Sequence, residues 1–422
     1  MKILIAAAFF CAAISLSTAA PKKAKNEAPK LIVISLDALM FSQIQKNVTP
    51  FIYNFYKKGV HCPKVRPVFP TKTMTNHFSI ATGLYAGSHG VTNNRIYDNL
   101  KKNKVSYSAE FFQSRVNVTP IWTLNEMAGK HSAVSMWASS EYEFRGIMPT
   151  YVEKYARDDP WKPRIDKIIP LLKSKENAVD FVMFYSEQPD STDHEFSHKS
   201  VQVTERLKDM DAMVKYLMEQ VKNAGLAPRT DVIIMSDHGM EFVTADDNFI
   251  VDLSKYVSYD TCQMYGDSAV MQVVANDGQD IVEICNKLKN GSRQNKHFKA
   301  YLNDDLPEYW HVRNERLFGP CTVVAEPGYA FENIKNYFAL FSNYHHGRKY
   351  GYHGYDNKAP SMQATFLANG PRFKKSVRIK YMEIVDMFHL FARLLGIESL
   401  VPDLNIDGID KPDLWAKMLK QL

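Results

Sequence analysis

Asp231-Val232-Ile233-Ile234-Met235-Ser236-Asp237-His238-Gly239 decides the fold. A short apolar, β-branched run without polar alternation reads as a strand buried on both faces, the habit of parallel sheets. The polar Asp-His pair stands where the strand stops. Upstream, Val201–Asn223 carries Val203, Leu207, Met210, Val214, Leu217 and Val221 at helical spacing, with Gly225 and Pro228 as stop signals. Before that helix, Ala178–Tyr185 is a second apolar run and leads to Pro189-Asp190. Leu31–Ser35 is a third, leading to Leu36-Asp37. Downstream, Ala364–Ala368 reads as another buried strand and Met382–Leu395 as a closing helix. Strands alternating with amphipathic helices predict an α/β fold with a mainly parallel central sheet flanked by helices. In such a sheet the residues just past the strands gather at one edge, where active sites form.

The rest of the chain is organised around that unit. Residues 242–340 are less regular, and 286–299 are rich in Lys, Asn and Gly, so they read as a cap or insertion on the sheet. Residues 1–20 have one charge, Lys2, then an apolar run ending in small residues, the pattern of a secretory signal peptide. Residues 21–29 are a charged, Pro-flanked linker, and 30–422 read as a single catalytic domain. No second long apolar run follows and the last residues carry no anchor tail, so the expected product is secreted and free of a membrane anchor, periplasmic in a bacterium. An apolar share of 45% with 12% aromatics excludes a disordered chain. The net charge of +6 is scattered, which suits an anionic small molecule and gives no marker of a specific nucleic-acid partner. Outside the leader stand Cys62, Cys262, Cys285 and Cys321, which in an oxidising compartment could form two disulfides in any of three pairings.

The strand-end residues carry the chemistry. Asp37, Asp190, His194, Asp237, His238 and His353 (within Tyr352-His353-Gly354) combine carboxylates with imidazoles, a donor set for zinc more than for calcium. Asp190 and His194 lie one helical turn apart and can reach one ion from a single face. A second cluster, Pro70-Thr71-Lys72-Thr73-Met74-Thr75-Asn76-His77, places hydroxyls before a helix over His77–Thr82, where backbone N–H groups favour anions. A threonine hydroxyl is a poor nucleophile at neutral pH unless a metal lowers its pKa, so each cluster accounts for the other.

The segments LDAL, FPTKTMTNHFSIATGLYAGSHGVTNN, YSEQPDSTDHEFSH, MSDHGM and GYHGYDN resemble the nucleotide pyrophosphatase/phosphodiesterase family of the alkaline phosphatase superfamily. The resemblance spans about residues 30 to 400 and implies an alkaline-phosphatase-like core. It implies that Thr73 is the nucleophile, that Asn94 donates to a phosphate oxygen, and that Lys72 borders the substrate. It also implies two Zn2+ per chain, one held by Asp190, His194 and His353, the other by Asp37, Thr73, Asp237 and His238. The reaction implied is a two-metal in-line displacement through a phosphothreonine. Tyr155 falls where nucleotide-cleaving members stack a base, and Trp137 and Tyr185 are candidate further walls of that slot. Met74 and Thr75 depart from the family's frequent Phe-Pro, which removes one aromatic neighbour of the substrate.

The expected substrate is therefore a nucleotide diester or pyrophosphate, cleaved to a nucleoside 5′-monophosphate. A choline-lipid diester is the rival on the same site, since a quaternary ammonium would also want an aromatic cage. A sulfatase is disfavoured because no C/S-x-P-x-R setting occurs, and an alkaline phosphatase would offer Ser where Thr73 stands. A catalytically silent binding module would need a lost ligand or nucleophile, and none is lost.

Overall fold

The computed structural model describes residues 28–420 apart from 99, 116, 314 and 341–344. The leader at 1–20 and residues 21–27 of the linker lie outside the described residues.

Among the described residues the central sheet has nine strands. Lys30–Leu36 lies in the middle, parallel to Phe181–Ser186 on one side and to Thr230–Met235 on the other. Ser132–Ser135 and Tyr151–Glu153 continue the parallel set. Ala364–Asn369 runs antiparallel against Thr230–Met235 and carries Val60–Arg66 beyond it. The continuous apolarity of the central strands is explained by their two covered faces. Leu31 and Val33 point into one apolar layer with Phe78, Ile80, Leu124 and Phe391. Ile32 and Ile34 point into the other, with Val203, Met210, Val214 and Leu217 of the helix Val201–Asn223. Each fully buried Val, Leu or Ile contributes about 1.5–3 kcal/mol, so both layers hold the sheet.

The helix expected over Met382–Leu395 begins later, as Met387–Leu395, because Met382 and Glu383 first pair with Val65 and Arg66. The helix expected over His77–Thr82 begins earlier, at Thr73.

Residues 242–340 are more regular than their composition suggests. Cys262–Asp267, Val270–Ala275, Cys321–Ala325 and Phe298–Leu302 form a four-stranded antiparallel sheet. Of the Lys/Asn-rich stretch, residues 286–294 lie in an amphipathic helix, Ile281–Gln294, whose buried face is Ile284, Cys285, Leu288 and Gly291, and the rest leads into Phe298–Leu302. The disulfide Cys285–Cys321 ties this helix to the sheet. A second bridge is not made: Cys62 and Cys262 are free, because one lies in the core of the central sheet and the other in the core of the cap. Burial pushes the Cys62 thiol up to about 11, which leaves it unreactive. No helix among the described residues is long and apolar enough to cross a membrane.

One buried acid couples two helices of the same layer. The helix Pro50–Lys57 receives no side-chain cap from its own N-cap residue, Thr49. Asp211, from the inward face of Val201–Asn223, instead accepts from Ile52 N at 2.7 Å and Phe51 N at 3.1 Å. Asp211→Ala leaves two orphaned amides at a helix start and should cost about 1–3 kcal/mol. Denaturant titration measures this, and a midpoint equal to wild type would contradict the cap.

Candidate active site

Register brings the predicted carboxylates together. Ser35 pairs with both Tyr185 and Met235, so the three central strands end at one level. Asp37 follows the first strand, Asp237 the second, and Asp190 opens the helix Asp190–Phe196 beyond the third. His353 follows the strand Lys349–Tyr352, which packs on that helix. The close approach requires Gly351, where a Cβ would lie 2.4 Å from the Asp193 carbonyl oxygen.

Two adjoining donor groups result. In one, Asp190 Oδ2 lies 3.4 Å from His194 Nε2 and Asp190 Oδ1 lies 3.5 Å from His353 Nε2. The two imidazole nitrogens are 3.2 Å apart. In the other, His238 Nε2 lies 3.0 Å from Asp237 Oδ2 and 3.5 Å from Asp37 Oδ1, with Thr73 Oγ1 at 3.3 Å. Each ring is oriented from behind: the Nδ1 atoms of His194, His238 and His353 contact the carbonyl oxygens of Gly351, Gly239 and Thr71 at 2.9, 2.9 and 2.8 Å. A carbonyl only accepts, so each Nδ1 carries the proton and each Nε2 lone pair faces the cluster.

These donors fit metal cations. Asp37 Oδ1, Asp190 Oδ1 and Asp237 Oδ2 are buried without a hydrogen-bond partner, all directed at the cluster. Burial, then the Asp237 and Asp190 charges, holds Asp37 well above the usual carboxylate range. Burial also raises Asp190 against the pull of His194 and His238. Bare like charges in a dry pocket repel, and cations on the unpaired oxygens remove that cost. Asp190, His194 and His353, and Asp37, Asp190 and His238, are sets whose donor atoms gather within 4.8 Å.

Thr73 is the first residue of the helix Thr73–Thr82, so its hydroxyl stands at the positive end of the helix dipole. Asn94 Oδ1 accepts from Met74 N at 3.0 Å, which leaves the amide nitrogen of Asn94 as its free donor end. Thr73, Met74, Asn94, Asp37, Asp190, Tyr155, Tyr185 and Glu187 line one cavity of about 390 Å³. Tyr155 is 47% exposed at its rim, and its hydroxyl donates to Glu187. Tyr185 is in the wall, but its hydroxyl is committed to Asp37 Oδ2 at 2.7 Å. Trp137 is not a wall. It is fully buried and donates its indole N–H to the His77 carbonyl at 3.1 Å, a core position that supports the nucleophile helix from beneath. Lys72 lies on the opposite side of the cluster, in a second cavity, with its ammonium 4.7 Å from the Tyr352 ring centroid.

Two residues of the site escaped sequence reasoning. His77 sits one turn after Thr73, with Nδ1 2.9 Å from the Thr73 carbonyl and 3.3 Å from Asp237 Oδ2, and Nε2 2.8 Å from Ser35 Oγ. Its nitrogens are thereby occupied, so it braces Asp237 where His238 faces the cluster. The i, i+4 spacing from Thr73 was the available signal. Glu187, directly after the strand Phe181–Ser186, also accepts from Asp158 N at 2.9 Å and so holds the loop that carries Tyr155.

Comparison with known proteins gives the family and the fold. The type I phosphodiesterase / nucleotide pyrophosphatase family matches residues 31–356. Ectonucleotide pyrophosphatase/phosphodiesterase family member 5 of Homo sapiens is 29% identical over 399 residues, covering 93% of this chain and 79% of the relative. The bis(5′-adenosyl)-triphosphatase of Homo sapiens is 30% identical over 375 residues, covering 88% of this chain and 79% of the relative. Among solved structures, an inactive variant of the murine ectonucleotide pyrophosphatase/phosphodiesterase 5 in complex with AMP superposes with a TM-score of 0.80 at 27% identity. That match covers 93% of this chain and all of the other.

Because the buried carboxylates lose their counter-charge with the metal, chelation should destabilise the whole fold. Excess chelator should lower the melting temperature by about 5 °C or more, the scale of ligand linkage at hundreds of Kd. Calorimetric scans with and without chelator measure it, and superimposable scans would refute metal occupancy of the cluster.

Proposed function

The chain belongs to the type I phosphodiesterase / nucleotide pyrophosphatase family and is a hydrolase of phosphodiester or pyrophosphate bonds, and we propose that it is a secreted two-zinc enzyme that works through a phosphothreonine at Thr73. The observation that carries the proposal is the placement of Thr73 Oγ1 at a helix start, 3.3 Å from His238 Nε2, at the junction of the two donor groups. Asp190, His194 and His353 would hold one ion, and Asp37, Thr73, Asp237 and His238 the other. Zinc, when bound there, supplies Lewis-acid stabilisation of phosphoryl oxygens and lowers the pKa of a hydroxyl beside it.

The residues of the chain do the rest. Thr73 Oγ1 attacks phosphorus, the bond from phosphorus to the departing oxygen breaks, and the hydroxyl proton passes to solvent through the open cavity. The amide nitrogen of Asn94 donates to a non-bridging oxygen, where negative charge builds. Water then attacks the phosphothreonine from the opposite side, which releases the nucleoside 5′-monophosphate and restores the Thr73 hydroxyl. Tyr155 offers a flat exposed face for the base, and Glu187 fixes its tilt. The disulfide Cys285–Cys321 supports an oxidising, extracytoplasmic setting, in line with the leader sequence.

Thr73→Ala should lower kcat/KM by about a thousandfold or more while the fold and most of the zinc remain, read by elemental analysis. Near wild-type turnover in that variant would sink the covalent route, and one metal or none in the active wild type would sink the two-ion assignment. Tyr155→Ala should lower kcat/KM about five- to tenfold on nucleotide diesters, the scale of one lost stacking face, and change a bis-aryl phosphate much less. Tyr155→Phe should retain most of the nucleotide rate. A wild-type preference for a choline diester, or equal losses on both substrates, would refute the base slot.

A further inference from the structure

The outer edge of the central sheet is built from two stretches of chain that lack acids. No Asp or Glu occurs from Ala38 to Tyr97, and none from Asn357 to Met382. The positive charge that reads as scattered along the sequence is gathered where the fold sets these stretches side by side. Val377 and Arg378 pair parallel with Val60 and His61, and Ile379 N donates to the His61 carbonyl at 2.8 Å. Alternation along this extended segment buries Ile379 and turns Arg378 and Lys380 outward. With Pro63, Lys64 and Tyr381 they line a groove of about 650 Å³. Ser376 Oγ donates to the Lys57 carbonyl at 3.1 Å, which brings the exposed Lys57 and Lys58 alongside.

These charges are not neutralised. Among the described residues no acid pairs with Lys57, Lys58, Lys64, Arg378 or Lys380. The exposed Lys374 and Lys375 donate to the Ala416 carbonyl and to Asn369 Oδ1, both at 2.6 Å, and neutral partners leave their charge in place. Glu383, the first acid after the segment, is taken by Arg66 at 2.6 Å. His61, half-buried between the two stretches, registers the field: burial, then the charges of Arg378 and Lys57, lowers its pKa below the ordinary imidazole value. Protection against edge-to-edge pairing accounts for a charge or two on an edge strand, and this one is only two residues long. It does not account for a concave, acid-free run of cations.

We propose that this groove is an exosite for a sulfated polysaccharide, a linear polyanion met outside the cell. The reading of the chain as secreted says where that partner lies, and the binding itself does not depend on it. Lysines dominate the run, and an ammonium is a point charge that suits anions repeated along a flexible polymer, where a single phosphate would call for an arginine fork. A groove along a strand fits a chain better than a flat bilayer, and no Leu, Ile, Phe or Trp lines it to enter lipid. The one aromatic ring in the lining, Tyr381, is held by its hydroxyl to Glu383 and by Arg66, 5.8 Å from its centroid, so it offers no platform for a base. Val60–Arg66, Ala364–Asn369 and Thr230–Met235 separate this edge from Lys30–Leu36, about 19 Å at the usual strand spacing. A bound polymer therefore leaves the catalytic cavity open.

The test is retention on immobilised heparin together with calorimetric binding of soluble heparin oligosaccharides. The wild type should bind at about 0.15 M salt. Its log affinity should fall against log salt with a slope of about −3 to −4, the counterion release of four or five contacts. Lys64→Glu/Arg378→Glu should lower the affinity about tenfold or more and flatten the slope by about 2. Lys173→Glu/Lys296→Glu makes the same change in net charge on the helix Trp161–Lys173 and in the cap, and should keep most of the binding. Desulfated heparin should not bind. Melting temperature and turnover of a bis-aryl phosphate should be unchanged in both variants, and turnover should persist in heparin-saturated wild type. Unchanged affinity in Lys64→Glu/Arg378→Glu, or equal losses in the two variants, would overturn the exosite. So would competitive inhibition by heparin, which would put the polymer at the catalytic cluster, or binding to phosphatidylglycerol vesicles without retention on heparin, which would make the edge a membrane surface. The binding measurements need no turnover, so a failure of the proposed function leaves this test standing.

Discussion

Three carboxylates, Asp37, Asp190 and Asp237, are packed into one dry junction at the end of a parallel sheet, and most of the structure answers to that constraint. A buried unpaired carboxylate costs several kcal/mol, so the junction exists only with counter-charge and fixed donors around it. The protein supplies part of this itself. Tyr185 donates to Asp37, the backbone N–H of Ala38 reaches Asp237 Oδ1 at 3.2 Å, and His77 and His238 flank Asp237. The oxygens left over are the ones directed at the cluster. Rigid rings held by backbone carbonyls and acids held by neighbours mean that cations meet a preformed cage, with little ordering left to do on binding.

The same constraint explains what was legible in the sequence. A strand buried on both faces must be apolar throughout, and a functional residue must wait until the strand ends. Leu31–Ser35 before Asp37 and Val232–Met235 before Asp237 therefore announce fold and site together. Parallel register does the remainder, since strands that end at one level bring their next residues into contact. His353 was legible for a different reason. It stands in a Gly-flanked run, and both glycines have steric work to do, Gly351 against Asp193 and Gly354 against Lys72.

What sequence patterns missed follows from tertiary choice. Trp137 has the composition of a ligand wall, but a large ring is as useful beneath a helix, and its indole found the His77 carbonyl. The Lys/Asn-rich stretch hid a helix because only one face, Ile284, Cys285 and Leu288, needs to be apolar when the other is solvated. Cysteine pairing depends on which cores the residues enter, which spacing does not encode. Cys62 and Cys262 went into different cores and stayed free, whereas Cys285 and Cys321 met across a helix and a strand. Glu187 was overlooked because it contacts the loop of Tyr155 instead of the cluster.

The cap is part of the site, because the loop that carries Asn94 hangs from it. Thr92 Oγ1 donates to the Leu317 carbonyl at 2.7 Å, Asn93 Nδ2 to the Val270 carbonyl at 3.4 Å, and Tyr97 N to Gln272 Oε1 at 3.1 Å. At Gly266 a Cβ would lie 3.2 Å from Asn93 Nδ2, so the cap strand and the loop approach almost backbone to side chain. On the core side Val91 and Ile96 pack into the apolar layer, and Asn94 Oδ1 takes the Met74 amide at the start of the Thr73 helix. Asn94 therefore bridges two bodies: the core sets the nucleophile and the carboxylates, and the cap sets the donor that faces them. Its neighbour Arg95 inherits the same suspension. An insertion that alters the Val270–Ala275 or Cys321–Ala325 strands would shift Asn94 and Arg95 without touching any Asp or His of the cluster. The positions of the acids, fixed by the sheet, and that of Asn94, held jointly with the cap, can thus vary separately within one fold.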